Sequence, residues 1–212
     1  MRYASIRSLD VSNGENIGVS LFVQGCPFMC KNCFNPETWD FNGSKEWTEE
    51  TEQEFLKLID RPYIKRVSIL GGEPLAKQNL DGVLDLITKI REKYPIFENS
   101  KSANPCKMSV SEDENSDKTR VLFPEKTIWL YSGYNFDLLN SKYNEYKYTP
   151  FAVNADEWLT RWEIISNVDI VIDGEYIDGQ KDLTLKWRGS KNQRVIDVKK
   201  TMKNGGIILY EN

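Results

Sequence analysis

Three cysteines, Cys26, Cys30 and Cys33, fall within eight residues and follow at once on the apolar run Gly18-Val19-Ser20-Leu21-Phe22-Val23-Gln24. This pairing constrains the chain more than any other feature. A run of that length and composition reads as a buried strand, so the cysteines lie in a loop at its end. Thiolates bind soft metals, and a loop bracketed by Gly25 and Pro27 is short enough to wrap one metal centre.

The chain contains no histidine, which excludes Ser-His-Asp hydrolysis, Cys-His proteolysis, His-ligated zinc and imidazole general-base work. Structural zinc needs a fourth ligand, either the remaining cysteine, Cys106, or a carboxylate. Disulfide pairing fits poorly with an odd number of clustered cysteines in a reducing compartment, and unrelated core thiols rarely cluster so tightly. A ferredoxin-like cluster takes four cysteines, one per iron, so three leave one iron open to a substrate. Cys106 sits in a polar stretch and reads as a bystander, with a regulatory or resolving thiol as the alternative.

The same strand-then-loop plan recurs along the chain. Val67-Ser68-Ile69-Leu70 runs into Gly71-Gly72-Glu73-Pro74, Thr127-Ile128-Trp129-Leu130-Tyr131 into Ser132-Gly133-Tyr134, and Asp169-Ile170-Val171-Ile172 into Asp173-Gly174. Helices are expected between them. Thr48 caps one reaching about Ile59, Leu80, Val83, Leu84, Ile87 and Ile90 repeat with helical spacing, and two more are expected over residues 136–146 and 156–165. Strands alternating with helices predict an α/β fold with a mostly parallel sheet in a single domain. Residues 195–198 and 207–210 are read as further strands. Residues 99–120, rich in Ser, Asn, Lys, Asp and Glu, are expected to form a mobile polar insertion.

Every motif lies just past the C-terminal end of an expected parallel strand, where α/β folds place their sites. The 28 basic and 32 acidic residues give no global footprint for nucleic acid or an anionic membrane surface. No apolar run approaches the ~20 residues of a membrane helix. The polar N-terminus, with no secretory h-region, predicts a cytoplasmic chain.

The cysteine spacing resembles the radical S-adenosylmethionine superfamily, and Gly71-Gly72-Glu73-Pro74 resembles that superfamily's glycine-glycine-glutamate-proline motif. Further stretches resemble the glycyl-radical enzyme activases, specifically those acting on anaerobic ribonucleoside-triphosphate reductase. These are Gly25-Cys26-Pro27, Cys33-Phe34-Asn35-Pro36-Glu37-Thr38-Trp39, Tyr131-Ser132-Gly133-Tyr134, Asp169 to Gly174 and Arg188-Gly189-Ser190-Lys191-Asn192-Gln193-Arg194. The chain departs from the wider superfamily at Asn32, where many relatives carry an aromatic, and Phe34 is expected to take over that packing.

The resemblance implies an incomplete (β/α) barrel open to a large protein that presents a glycine-bearing loop. It implies a [4Fe-4S] cluster on Cys26, Cys30 and Cys33, with S-adenosyl-L-methionine chelating the fourth iron. It also implies a radical oxidoreductase whose protein substrate is the anaerobic reductase and whose electron donor is a reduced flavodoxin-like protein. Gly71 and Gly72 would admit the methionine end of the cofactor, with Glu73 and Pro74 shaping that turn, and Ser132 and Asp173 would hydrogen-bond its polar groups. Arg188 and Arg194 flank a polar loop suited to a carboxylate or to the partner's surface. Trp39, Trp129 and Tyr134 are expected as core or rim aromatics. An activase of another glycyl-radical enzyme such as pyruvate formate-lyase, an electron carrier and a zinc adaptor are the rival readings.

Overall fold

The computed structural model describes residues 1–95 and 126–210; the expected insertion at 99–120 and Cys106 lie outside the described residues. Seven strands, β1 (Arg2–Asp10), β2 (Gly18–Val23), β3 (Lys45–Glu46), β4 (Arg66–Gly71), β5 (Thr127–Ser132), β6 (Ile170–Asp173) and β7 (Arg194–Asp197), form one sheet in the order β3-β1-β2-β4-β5-β6-β7. The central four, β2, β4, β5 and β6, are parallel, whereas β1, β3 and β7 join the edges antiparallel.

Among the described residues five α-helices accompany them: α1 (Glu49–Ile59), α2 (Leu80–Lys93), α3 (Phe136–Tyr146), α4 (Ala155–Ser166) and α5 (Val198–Asn204). The α1 start follows from its sequence, since the Thr48 hydroxyl accepts from the Thr51 N–H and Glu49, Glu50 and Glu52 occupy the positive end of the helix. None of these helices is long and apolar enough to cross a membrane.

Strand alternation sorts the side chains between two faces. Val19, Leu21 and Val23, Val67 and Ile69, and Ile128 and Leu130 join one core with Phe55, Val83, Ile87, Leu139, Ile164 and Val198 from the five helices. The other face carries Phe22, Leu70, Trp129, Tyr131, Ile170 and Ile172. Among the described residues it is packed by loops and by Trp187 and Tyr210, with no helix in its apolar cluster. Helices on one side thus leave the opposite side of the sheet open to a ligand.

Beneath that open side a buried ion pair fixes the start of the sheet. Arg66, fully buried, donates to the Asp10 carbonyl at 2.8 Å, the Asp10 carboxylate at 3.0 Å and the Glu15 carbonyl at 3.0 Å, and reaches the Asn13 carbonyl and the Ser68 hydroxyl as well. All these partners compensate for taking a guanidinium out of water.

One expected strand is absent, and two features of the sheet lay beyond sequence reading. β1 escapes sequence reading because its side chains are mostly exposed or half-buried and show no apolar alternation. β7 is antiparallel, a return strand on β6, so the sheet is mixed. Residues 207–210 do not form a strand and make one isolated bridge, Leu209 to Ile196, because the Ile208 N–H donates to the Thr201 hydroxyl at 2.9 Å.

Candidate metal centre

The cysteine loop leaves β2 held at its base. Gly25 N–H donates to the Thr38 carbonyl at 2.8 Å and Cys26 N–H to the Trp39 carbonyl at 3.1 Å. The Gln24 amide bridges the Glu37 and Asp40 carbonyls at 3.1 and 2.8 Å. Gly25 adopts φ +93°, and a Cβ there would meet the Phe41 ring at 2.1 Å, so only glycine fits.

Each span between cysteines contains one residue in the left-handed region, Met29 (φ 46°) and Asn32 (φ 57°), and these reversals coil the backbone. Asn32 is held there by its side-chain amide, which donates to Asp178 at 2.9 Å. Phe34 meets Tyr176 edge-on at 5.1 Å and lies against Gly189.

All three cysteines are half-buried, the Cys33 sulfur accepts from the Asn35 N–H at 3.4 Å, and backbone N–H groups near the Cys26 and Cys30 sulfurs act in the same sense. Such donors stabilise charge on sulfur. Burial outweighs them in the metal-free thiols, pushing Cys26 up to about 11, with the neighbouring Glu73 charge adding to the rise, and raising Cys30 as well. A bound cation is needed to ionise thiols in such a setting. Among the described residues no three His, Cys, Asp or Glu side chains converge on a point suited to one metal ion.

Residues 71–74 pack directly under this loop. Gly72 N–H donates to the Val23 carbonyl at 2.9 Å and Glu73 N–H to the Gly25 carbonyl at 2.8 Å. A Cβ on Gly72 would lie 2.5 Å from the Gly25 carbonyl oxygen, and Gly71 adopts φ +103°. These glycines therefore let two backbones close on one another, a requirement separate from any ligand.

Glu73 is almost fully buried and its carboxylate ties the ends of β4 and β5 together, accepting from Leu75 N–H at 2.8 Å, the Ser132 hydroxyl at 2.9 Å and Gly133 N–H at 2.7 Å. Burial pushes its carboxyl up to about 7 against those hydrogen bonds and the Arg161 charge. Pro74 continues the same turn. Ser132 also accepts from Tyr134 N–H at 3.0 Å. Asp173, the register partner of Ser132 on β6, accepts from Phe136 N–H at 2.8 Å and Arg194 Nε at 3.0 Å. Ser132 and Asp173 are thus engaged within the protein, beside the cysteine loop. Phe28 closes the arrangement, lying on Gly133 and meeting Tyr134 at 5.1 Å.

On the other flank of the loop, a cavity of about 560 Å³ opens on the helix-free face. Its floor is Phe22, Leu70 and Tyr131, Cys33 forms one edge, and Trp187 and Arg188 belong to its wall. Among the described residues Arg7 and Arg188 line it and no carboxylate side chain does. Gln193 keeps the wall in shape, accepting from Gly189 N–H at 2.9 Å and donating to the Gly174 carbonyl at 3.0 Å. Tyr131, Arg7 and Phe22 were not singled out in the sequence. Only Tyr131 carried a signal, as the residue before Ser132.

The chain belongs to the family described as the 4Fe-4S single cluster domain, whose model matches residues 12–104 and 115–196 and so takes in all three loop cysteines. An iron–sulfur cluster is the metal group that this assignment supports. More particularly, the chain is similar to the anaerobic ribonucleoside-triphosphate reductase-activating protein of Escherichia coli K12, at 27% identity over 92% of this chain and 97% of the relative. The protein of that name from enterobacteria phage T4 is 29% identical over 92% of this chain and 93% of the relative. The one from Vibrio cholerae is 27% identical over 91% and 96%.

Proposed function

We propose that this chain is a radical S-adenosylmethionine oxidoreductase of the cytoplasm that activates an anaerobic ribonucleoside-triphosphate reductase by generating a glycyl radical on it. The observation that carries the reading is a loop offering three half-buried cysteines beside a cavity free to take a small molecule. A four-iron cluster on Cys26, Cys30 and Cys33 has one iron without a protein ligand. When bound, the cluster supplies the electron that splits S-adenosylmethionine into methionine and a 5′-deoxyadenosyl radical, the species that takes a hydrogen atom from a glycine Cα of the reductase.

The protein's own part is to hold and shield. Residues 71–74 fix the loop against β2 and β4, and Glu73 extends that support through Ser132 to β5. Asp173 and Arg194 hold the end of β6 to β7. In this reading the sheet is an incomplete (β/α) barrel whose helix-free side admits the protein substrate. Gly71, Gly72, Glu73, Pro74, Ser132 and Asp173 border the cofactor, and a reduced flavodoxin-like protein donates the electron.

The test is anaerobic incubation of the reconstituted, reduced protein with S-adenosylmethionine and the reductase, with 5′-deoxyadenosine counted by chromatography and the glycyl radical by electron paramagnetic resonance. Both products are expected to form together and to be absent with a Cys33→Ala variant. Deoxyadenosine without a radical on the reductase, but with one on pyruvate formate-lyase, reassigns the substrate. No deoxyadenosine from cluster-loaded protein sinks the reading.

A further inference from the structure

The cavity beside Cys33 is lined by two residues, Tyr131 and Arg188, that each carry a buried polar atom the fold leaves without a partner. The Tyr131 hydroxyl and the Arg188 Nε are buried, and neither has a hydrogen-bond partner among the described residues. Tyr131 comes from β5 and Arg188 from the loop before β7, yet both line the same cavity. A buried donor left unpaired costs roughly 1–3 kcal/mol, more when charged, so two on one cavity mark a place completed by a ligand. The other guanidinium, Arg7, already lies 3.6 Å from Asp10 and 4.6 Å from the centre of the Phe22 ring, which leaves Arg188 as the uncommitted cation.

We infer that Arg188, assisted by the Tyr131 hydroxyl, recognises the carboxylate of the small-molecule cosubstrate. This rests on the proposed function, and it shifts polar recognition of that cosubstrate away from Ser132 and Asp173, whose side chains bond to Glu73, Phe136 and Arg194. Three features of the cavity agree. Its size of about 560 Å³ suits one small molecule. With two arginines and no carboxylate side chain, its lining selects an anionic group. Phe34, Tyr176 and Trp187 supply aromatic surface for a planar base. A molecule with a carboxylate at one end and adenine at the other satisfies all three.

The experiment is anaerobic titration calorimetry on cluster-reconstituted protein, using S-adenosylmethionine and its decarboxylated analogue as probes. Arg188→Gln is expected to weaken S-adenosylmethionine binding by roughly 10- to 100-fold, Arg188→Lys by less, and Tyr131→Phe by about 2- to 10-fold. All three variants should bind the decarboxylated analogue as the parent does. Iron content and melting temperature report whether each variant is folded, and Tyr131→Phe, which removes only an oxygen, decides the matter if Arg188→Gln misfolds. Unchanged S-adenosylmethionine affinity in the folded variants, or an equal loss towards the decarboxylated analogue, overturns the assignment. If the cluster-loaded parent binds neither probe, the proposed function falls, and this inference falls with it.

Discussion

At the scale of single residues, the buried charges show how the sheet's open face is held. Burial acts to raise the Asp10 carboxyl, but hydrogen bonds from Asn13, Arg66 and Ser12 outweigh it and bring it down to about 2. A carboxyl whose folded value lies below its unfolded one stabilises the fold above the unfolded pKa of ~3.9, and that contribution is lost as pH falls through about 2. Asp10→Asn is therefore expected to remove the part of the acid-induced loss of stability that falls between about pH 4 and pH 2. It should also cost about 3–5 kcal/mol at neutral pH, because Arg66 stays buried without its counter-ion. Urea denaturation of parent and variant across that pH range checks both; matching acid slopes would refute the role given to Asp10.

None of this was legible beforehand. Asp10 and Arg66 lie 56 positions apart in a sequence that shows neither as buried. The cysteine cluster, in contrast, stands out by local spacing, whereas Tyr131 and Arg188 are drawn together only once folding brings them to one cavity.

At the scale of elements, the site is a set of strand ends fastened to one another. The helices α1 and α2 and the parallel strands followed from capping and periodicity, since those signals are local. The β1 edge and the reversed β7 did not, because edge strands half-exposed to water need no alternation and direction within a sheet is set by tertiary packing.

The junction of β2 with β4 is where local sequence and tertiary structure meet most tightly. Gly72→Ala pushes a Cβ to within 2.5 Å of the Gly25 carbonyl oxygen, a backbone atom with no room to yield cheaply. The expected cost is about 1–3 kcal/mol, together with reduced iron uptake on reconstitution, because the strain falls on the base of the cysteine loop. Gly179→Ala is the control, since a Cβ there meets nothing within 4 Å. Equal denaturation midpoints and equal iron contents for the two variants would contradict this account of the Gly-Gly turn.

At the scale of the whole molecule, one face of the sheet carries the helices and the core, while the other is left to loops, a buried ion pair and a cavity that touches the cysteine loop. In the proposed function, that division would bring a small molecule and a protein segment to the cysteine loop from the open side. The central claim is that Cys26, Cys30 and Cys33 hold a four-iron cluster with one iron open to S-adenosylmethionine. Electron paramagnetic resonance of the anaerobically reconstituted, reduced protein tests it most directly, recorded with and without S-adenosylmethionine and beside a Cys30→Ala control. The account predicts a reduced four-iron signal that changes when S-adenosylmethionine is added and is lost in the control. A cluster signal indifferent to S-adenosylmethionine, or uptake of zinc with no sulfide, would contradict it.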